Sequence, residues 1–180
     1  MRLVAECPGK INLLLRVVDR RPDGFHELDT VFQTIDLRDR LEIGPGEGLR
    51  LICDDPGIPC DESNLVLRAV RLLERDVARR PLQASLVLRK SLPAQAGLGG
   101  GSSDAAGALL LGCRFWGLEP SPEELERLAA ELGADVPFFL VGGTARGTGR
   151  GDRIEALEPL PETPLILGFP PFGVSTAEVF

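Results

Sequence analysis

Residues 93–103 read Pro-Ala-Gln-Ala-Gly-Leu-Gly-Gly-Gly-Ser-Ser, with four glycines inside the five residues 97–101. Upstream, Leu82 to Leu88 alternates apolar with polar residues and reads as a strand. Downstream, Asp104-Ala-Ala-Gly-Ala-Leu-Leu-Leu is a good helix former, so a helix is expected from about Ser102–Asp104 to Trp116, stopped by Gly117. Glycines between a strand and a helix let the backbone take positive φ and come close to a bulky anion. The helix start adds unpaired N–H groups and the positive end of a dipole. The segment therefore reads as a phosphate cradle, the alternative being a flexible loop with a Ser N-cap. A Walker loop is excluded because no Lys-Ser/Thr pair follows the glycines, and the segment is a poor Rossmann fingerprint because Ser102 stands where a third Gly or Ala belongs and no first strand of a βαβ unit opens the chain.

Working outward, strands are expected at Leu3–Glu6 and Ile11–Val18, split by Cys7-Pro8-Gly9, then at Leu28–Asp36, Arg40–Ile43 and Leu49–Cys53. Arg21-Pro22-Asp23-Gly24 is a turn signal. Asp54–Ser63 reads as a polar loop, and a helix from about Asn64 to Arg79 carries apolar residues on one face. Ser121-Pro122-Glu123-Glu124 opens another helix with a capping box, ending at Gly133. Two-fold alternation returns at Gly142–Gly151 and Arg153–Leu157, a proline-rich stretch follows, and Leu165–Phe169 is expected to be a strand. Strands first and helices later, in mixed order, predict an α+β fold.

The bulk numbers remove several function classes. Net charge is −7, which offers no basic footprint for nucleic acid or an anionic membrane. The opening MRLVAECPGKINLLLRVV does not read as a secretory signal, and no apolar run of about 18 residues predicts a membrane span. Cys7, Cys53, Cys60 and Cys113 are scattered without a CxxC pair, and there is one His, so no zinc site is expected. Four reduced thiols suit a cytoplasmic protein.

Three further segments carry chemistry. Of 20 Lys and Arg residues only Lys10 and Lys90 are Lys. A chain that writes Arg nearly everywhere keeps a compact ammonium either by chance or where a point charge matters. Lys10, in Pro8-Gly9-Lys10-Ile11-Asn12, either snorkels to the surface or points into a cleft, and Asn12 shares its strand face. Asp135, in Gly133-Ala-Asp-Val-Pro-Phe138, is either the N-cap of a short helix or a carboxylate placed to take a proton from a hydroxyl. His26 follows Phe25 in a turn, as an exposed loop residue or as a partner for a flat base.

These four segments, in this order, resemble the GHMP kinases, and the His-bearing turn and triple glycine resemble one branch of that family in particular. The resemblance implies the family's N-terminal domain, a ribosomal protein S5 domain 2-like α+β fold, over residues 1–157. Residues 158–180 would be a linker and the beginning of a C-terminal α+β domain. It further implies transfer of the ATP γ-phosphoryl, as MgATP, to the 2-hydroxyl of a cytidine diphosphate-linked methylerythritol, in non-mevalonate isoprenoid synthesis. Lys10 and Asp135 fall on the family's catalytic positions. Pro93, Ala94, Gln95, Ala96, Gly97, Leu98, Gly99, Gly100, Gly101, Ser102 and Ser103 fall on its ATP phosphate loop, with Asn64 and Lys90 towards the adenine. Asn12, Phe25, His26 and Phe180 fall on the substrate side, and Phe25 stands where the family often has Tyr, keeping the stacking face and losing a hydroxyl. No residue is assigned to a metal, no nucleic-acid or membrane partner is implied, and a monomer or weak homodimer is expected. Another small-molecule kinase of the family, or a nucleotide-binding fragment without turnover, remains open at this point.

Overall fold

The computed structural model describes residues 1–169. Phe180 lies outside the described residues.

Two long strands organise the fold. β1 (Leu3–Arg20) and β2 (His26–Gly44) pair antiparallel over most of their length. Neither is broken where the sequence suggests. Pro8 has no N–H to give a ladder, yet β1 runs through it because the register shifts between Pro8 and Lys10, and a bulge is where a strand tolerates proline. On its other edge β2 pairs with β4 (Ala84–Arg89) through Arg40–Gly44 and with β5 (Thr144–Gly149) through Leu28–Gln33. β3 (Leu49–Cys53) joins β4 in parallel, and β6 (Arg153–Ala156) closes the far edge against β5. The expected strand at Leu165–Phe169 does not form; that stretch has no strand partner among the described residues.

Helices supply the opposing layer. α1 (Leu65–Leu72) is capped by Asn64, whose side chain accepts from Val66 N–H. It buries Val66, Leu67, Ala69, Val70 and Leu72, then continues as one π-helical segment, Leu73–Ala78, that stops at Arg79 with φ 51°. α2 (Gly100–Trp116) is the central helix, with Ala105, Ala106, Ala108 and Leu109 fully or almost fully buried. Its small residues allow close approach: a Cβ on Gly107 would lie 2.6 Å from Cys7 Sγ of β1. α3 (Pro122–Leu132) starts at the expected cap, with Glu124 N–H donating to Ser121 Oγ at 3.2 Å, and turns Leu128, Ala129 and Leu132 inward. α4 (Val136–Val141) is a short helix.

The main core lies between α1, α2, α3 and the β1–β2–β4 part of the sheet. Smaller clusters sit under α4 (Phe32, Phe138, Ala145) and under the glycine-rich loop (Ile35, Leu92, Leu98). These two satellites flank the place where the loop, β1 and α4 meet. Among the described residues no helix is long and apolar enough to cross a membrane.

Candidate functional site

The glycine-rich loop does what its composition asks. Gly97 and Gly99 take φ 73° and 69°, and Gly99 is the residue that enters α2, one turn earlier than the serines suggest. No side chain caps this helix, so its first N–H groups are not satisfied by a cap, although Ser103 N–H bonds Gly99 C=O at 2.9 Å. Residues 93–102 line a cleft of about 380 Å³, whose opposite wall includes Ile58, Pro59, Asn64 and Leu65. Asn64 is there as a helix cap and as a donor to Pro59 C=O at 2.7 Å. Two buried polar atoms at the start of α2, Ser103 Oγ and Asp104 Oδ1, have no hydrogen-bond partner among the described residues. A cradle of glycine backbone and an uncapped helix start fit an anionic ligand better than a closed protein interior.

Lys10 joins this loop to the rest of the site. Its backbone N–H donates to Leu98 C=O at 2.9 Å, and its side chain is 8% exposed. Nζ donates to Asn12 Oδ1 at 2.8 Å, sits 3.6 Å from Asp135 Oδ2 and lies 5.6 Å from the centre of the Phe32 ring. Asn12 in turn donates to Thr30 Oγ1 at 2.7 Å, and Thr30 donates to Leu14 C=O at 2.6 Å, so a polar chain runs across the two long strands. Thr30, 1% exposed, escapes a sequence reading because its partners lie on a neighbouring strand.

Asp135 occupies the N-cap position of α4 but accepts no capping hydrogen bond. The carboxylate, 37% exposed, faces the Lys10 ammonium rather than its own helix.

Lys90 immediately follows β4 and lines the same cleft, with its Nζ held by two carboxylates, Asp39 and Asp104, the latter at 2.8 Å. Burial works to lower its pKa, but Asp104 and Asp39 outweigh burial and hold the ammonium above its ordinary value. Asp104 is pushed up to about 7, chiefly by burial and despite the pull of Lys90. Asp39 and Asp104 were not among the expected site residues. One signal for Asp39 exists: it has the parity of Leu41 and Ile43, both buried on β2, where a solvated carboxylate does not belong.

Phe25 and His26 sit at the far end of the hairpin, His26 opposite Arg20 as the first residue of β2. Phe25 is 53% exposed, with the Arg150 guanidinium 5.1 Å from its ring centre, and Arg150 is paired with Asp152 at 2.7 Å. Loop, Lys10, Asn12 and Asp135 therefore come together, while the aromatic–histidine pair lies further along the same two strands.

Comparison with known proteins gives this geometry a context. A family profile, the GHMP kinases N terminal domain, matches residues 64–143. The 4-diphosphocytidyl-2-C-methyl-D-erythritol kinase of Pelotomaculum thermopropionicum is 48% identical over the whole chain, and that of Bacillus subtilis is 42% identical. The chain spans 63% of the length of each of these relatives. A crystal structure of 4-(cytidine 5'-diphospho)-2C-methyl-D-erythritol kinase superposes with a TM-score of 0.74 at 42% identity, covering 86% of this chain and 55% of that one. The Methanococcus jannaschii mevalonate kinase, 13% identical with a TM-score of 0.65, shares the fold.

Proposed function

This chain belongs to the GHMP kinase family, whose N-terminal domain it carries, and on that premise we propose that it phosphorylates the 2-hydroxyl of 4-diphosphocytidyl-2-C-methyl-D-erythritol with ATP. The observation that carries the reading is the Lys10–Asp135 pair, 3.6 Å apart, with Lys10 also bonded through its backbone to Leu98 of the glycine-rich loop. One contact holds the phosphate cradle and the other holds a carboxylate where a hydroxyl can meet it.

In this mechanism the loop residues that line the cleft, 93–102, cradle the triphosphate, with N–H groups at the start of α2 facing its charge. Asp135 accepts the proton of the acceptor hydroxyl as that oxygen attacks the γ-phosphorus. The new O–P bond forms, the bond from the γ-phosphorus to the bridging oxygen breaks, and ADP leaves. Lys10 sits beside Asp135 and beside the charge that develops during the transfer. Mg²⁺, when bound with the nucleotide, would neutralise phosphate charge. Asn12 and Thr30 orient Lys10. Phe25 and His26, on the same hairpin, receive the cytosine by stacking and hydrogen bonding, so a substrate with a base at one end and a hydroxyl at the other suits the layout.

The test is Asp135→Asn in the full-length protein. A half-exposed carboxylate that caps nothing costs little when neutralised, so the unfolding free energy should change by no more than about 1 kcal/mol. Turnover of the cytidyl substrate should fall by about 10²–10⁴, with ATP binding retained. Turnover within tenfold of the unmodified enzyme would remove Asp135 from the mechanism.

A further inference from the structure

Both ends of the glycine-rich loop converge on a buried charge cluster that the proposed mechanism leaves unused. Asp39 of β2 has a fully buried side chain. Its Oδ1 accepts from the N–H groups of Ser91 (2.6 Å) and Leu92 (2.8 Å), where the chain leaves β4 and enters the loop. Its Oδ2 accepts from Lys90 Nζ. The same ammonium donates to Asp104 Oδ2 at 2.8 Å, in the first turns of α2, where the chain has left the loop. Entry and exit are thus fastened to one ammonium, and the entry is fastened a second time to β2. Gly100 packs directly on the cluster: a Cβ there would lie 3.3 Å from Lys90 Nζ and 3.4 Å from Asp39 Oδ2.

Such a cluster is expensive. Lys90, Asp39 and Asp104 have side-chain exposures of 8%, 0% and 3%, and two buried carboxylates share one ammonium beside a cleft suited to phosphate. Stability alone is a weak reason to bury charge, since well-packed apolar residues of similar volume do as well or better. Directional bonds to the loop's two ends are what apolar residues cannot supply.

We propose that Asp39, Lys90 and Asp104 form a clamp that fixes the two ends of the glycine-rich loop and thereby sets its affinity for nucleotide phosphates. Asp39 is a positioning residue: it acts through Ser91, Leu92 and Lys90. The second half of the proposal rests on the nucleotide-binding reading above, while the first half stands on the loop alone.

The test combines amide hydrogen exchange without nucleotide and calorimetric titration with MgATP and with adenosine. Asp39→Asn keeps the shape and the acceptor for Ser91 and Leu92 but turns a donor towards Lys90. Lys90→Met removes both limbs, and Asp104→Asn, which leaves an acceptor for Lys90, should be the mildest. In Asp39→Asn, amides of residues 91–103 should exchange about tenfold faster while those in the β2–β5 pairing stay within about twofold. MgATP affinity should fall about tenfold and adenosine affinity less than about threefold, because adenosine has no phosphate to be cradled. Unchanged loop exchange in both Asp39→Asn and Lys90→Met, or acceleration spread equally over loop and sheet, would overturn the clamp. If Lys90→Met does not fold, Asp39→Asn against Asp104→Asn decides the same point. An unmodified protein that binds no MgATP would overturn the nucleotide-binding reading instead, and the exchange ratio would still decide the clamp.

Discussion

Two glycines of the loop offer a paired prediction in which backbone strain and steric approach separate. Gly97 and Gly99 have nearly the same φ, 73° and 69°, so alanine at either meets the same left-handed penalty. That penalty is about 1–2 kcal/mol, partly offset because alanine also restricts the unfolded chain, leaving a net cost of about 1 kcal/mol. Their surroundings differ. A Cβ on Gly97 would have no heavy atom within 4 Å. On Gly99 it would lie 2.8 Å from Phe139 Cζ, 3.0 Å from Phe139 Cε2 and 3.2 Å from Lys10 Cγ. Phe139 cannot simply swing away, because its ring packs edge-on against Phe138 (centres 5.1 Å apart), and Phe138 packs on Phe32 at 4.8 Å. Forcing a methyl into that contact costs a further 1–3 kcal/mol or so. Gly97→Ala should therefore destabilise by about 1 kcal/mol and Gly99→Ala by about 2–4 kcal/mol. In urea, with a slope of about 2 kcal/mol/M, the midpoints should drop by about 0.5 M and about 1–2 M. Gly99→Ala should also weaken phosphoryl transfer, since the displaced groups include the stem of Lys10. Equal midpoints for the two variants, or a larger loss for Gly97→Ala, would refute the reading that Gly99 exists to let the loop touch Lys10 and α4.

The charge cluster predicts a pH dependence. Asp104 is held near 7 in the fold against an ordinary value of 3.8, so folding takes up a proton, and this contribution is fully present below about pH 4 and lost as pH rises through about 7. The groups facing Asp104 are Lys90, Asp39 and Cys7; burial pushes the Cys7 thiol far enough up that it stays neutral in this window. The urea midpoint of the unmodified protein should decline from pH 5 to 8, and Asp104→Asn should flatten that decline; parallel curves would refute it. At the hairpin end, Arg150→Ala removes the guanidinium over Phe25, a contact of about 0.5–1 kcal/mol, so titrated cytidine diphosphate should bind about two- to fivefold more weakly. In the core, Gly107→Ala drives a methyl to 2.6 Å from Cys7 Sγ and should lower thermal stability, whereas the double variant with Cys7→Ala should recover part of the loss.

The features legible in the sequence are those whose physics is local. Positive φ, helix stops and capping boxes depend on a few consecutive residues, so the loop, Gly117 and Ser121 announce themselves. The breaks expected at Cys7-Pro8-Gly9 and between Asp36 and Arg40 are local inferences too, and long-range pairing overrides them: β1 carries Pro8 on a bulge, and β2 stays extended because β1 pairs with it at Arg38 and Asp39 and on to Ile43, with β4 on the other edge from Arg40. Conversely, Leu165–Phe169 has strand composition but no neighbour to pair with among the described residues. The same division runs through the site. Lys10 and Asp135 stand out in the sequence for what lies beside them, yet what makes them a pair is the fold that brings β1 under the start of α4. Asp39 lies between two arginines and looks like surface charge until its parity with Leu41 and Ile43 is taken seriously. A buried carboxylate of that kind needs partners, and here it has two backbone N–H groups and an ammonium from the segment that leads from β4 into the loop. Inward parity of a charged residue on a strand next to a glycine-rich loop is thus a usable signal: it marks where a sheet is wired to the loop, without any knowledge of what the loop holds.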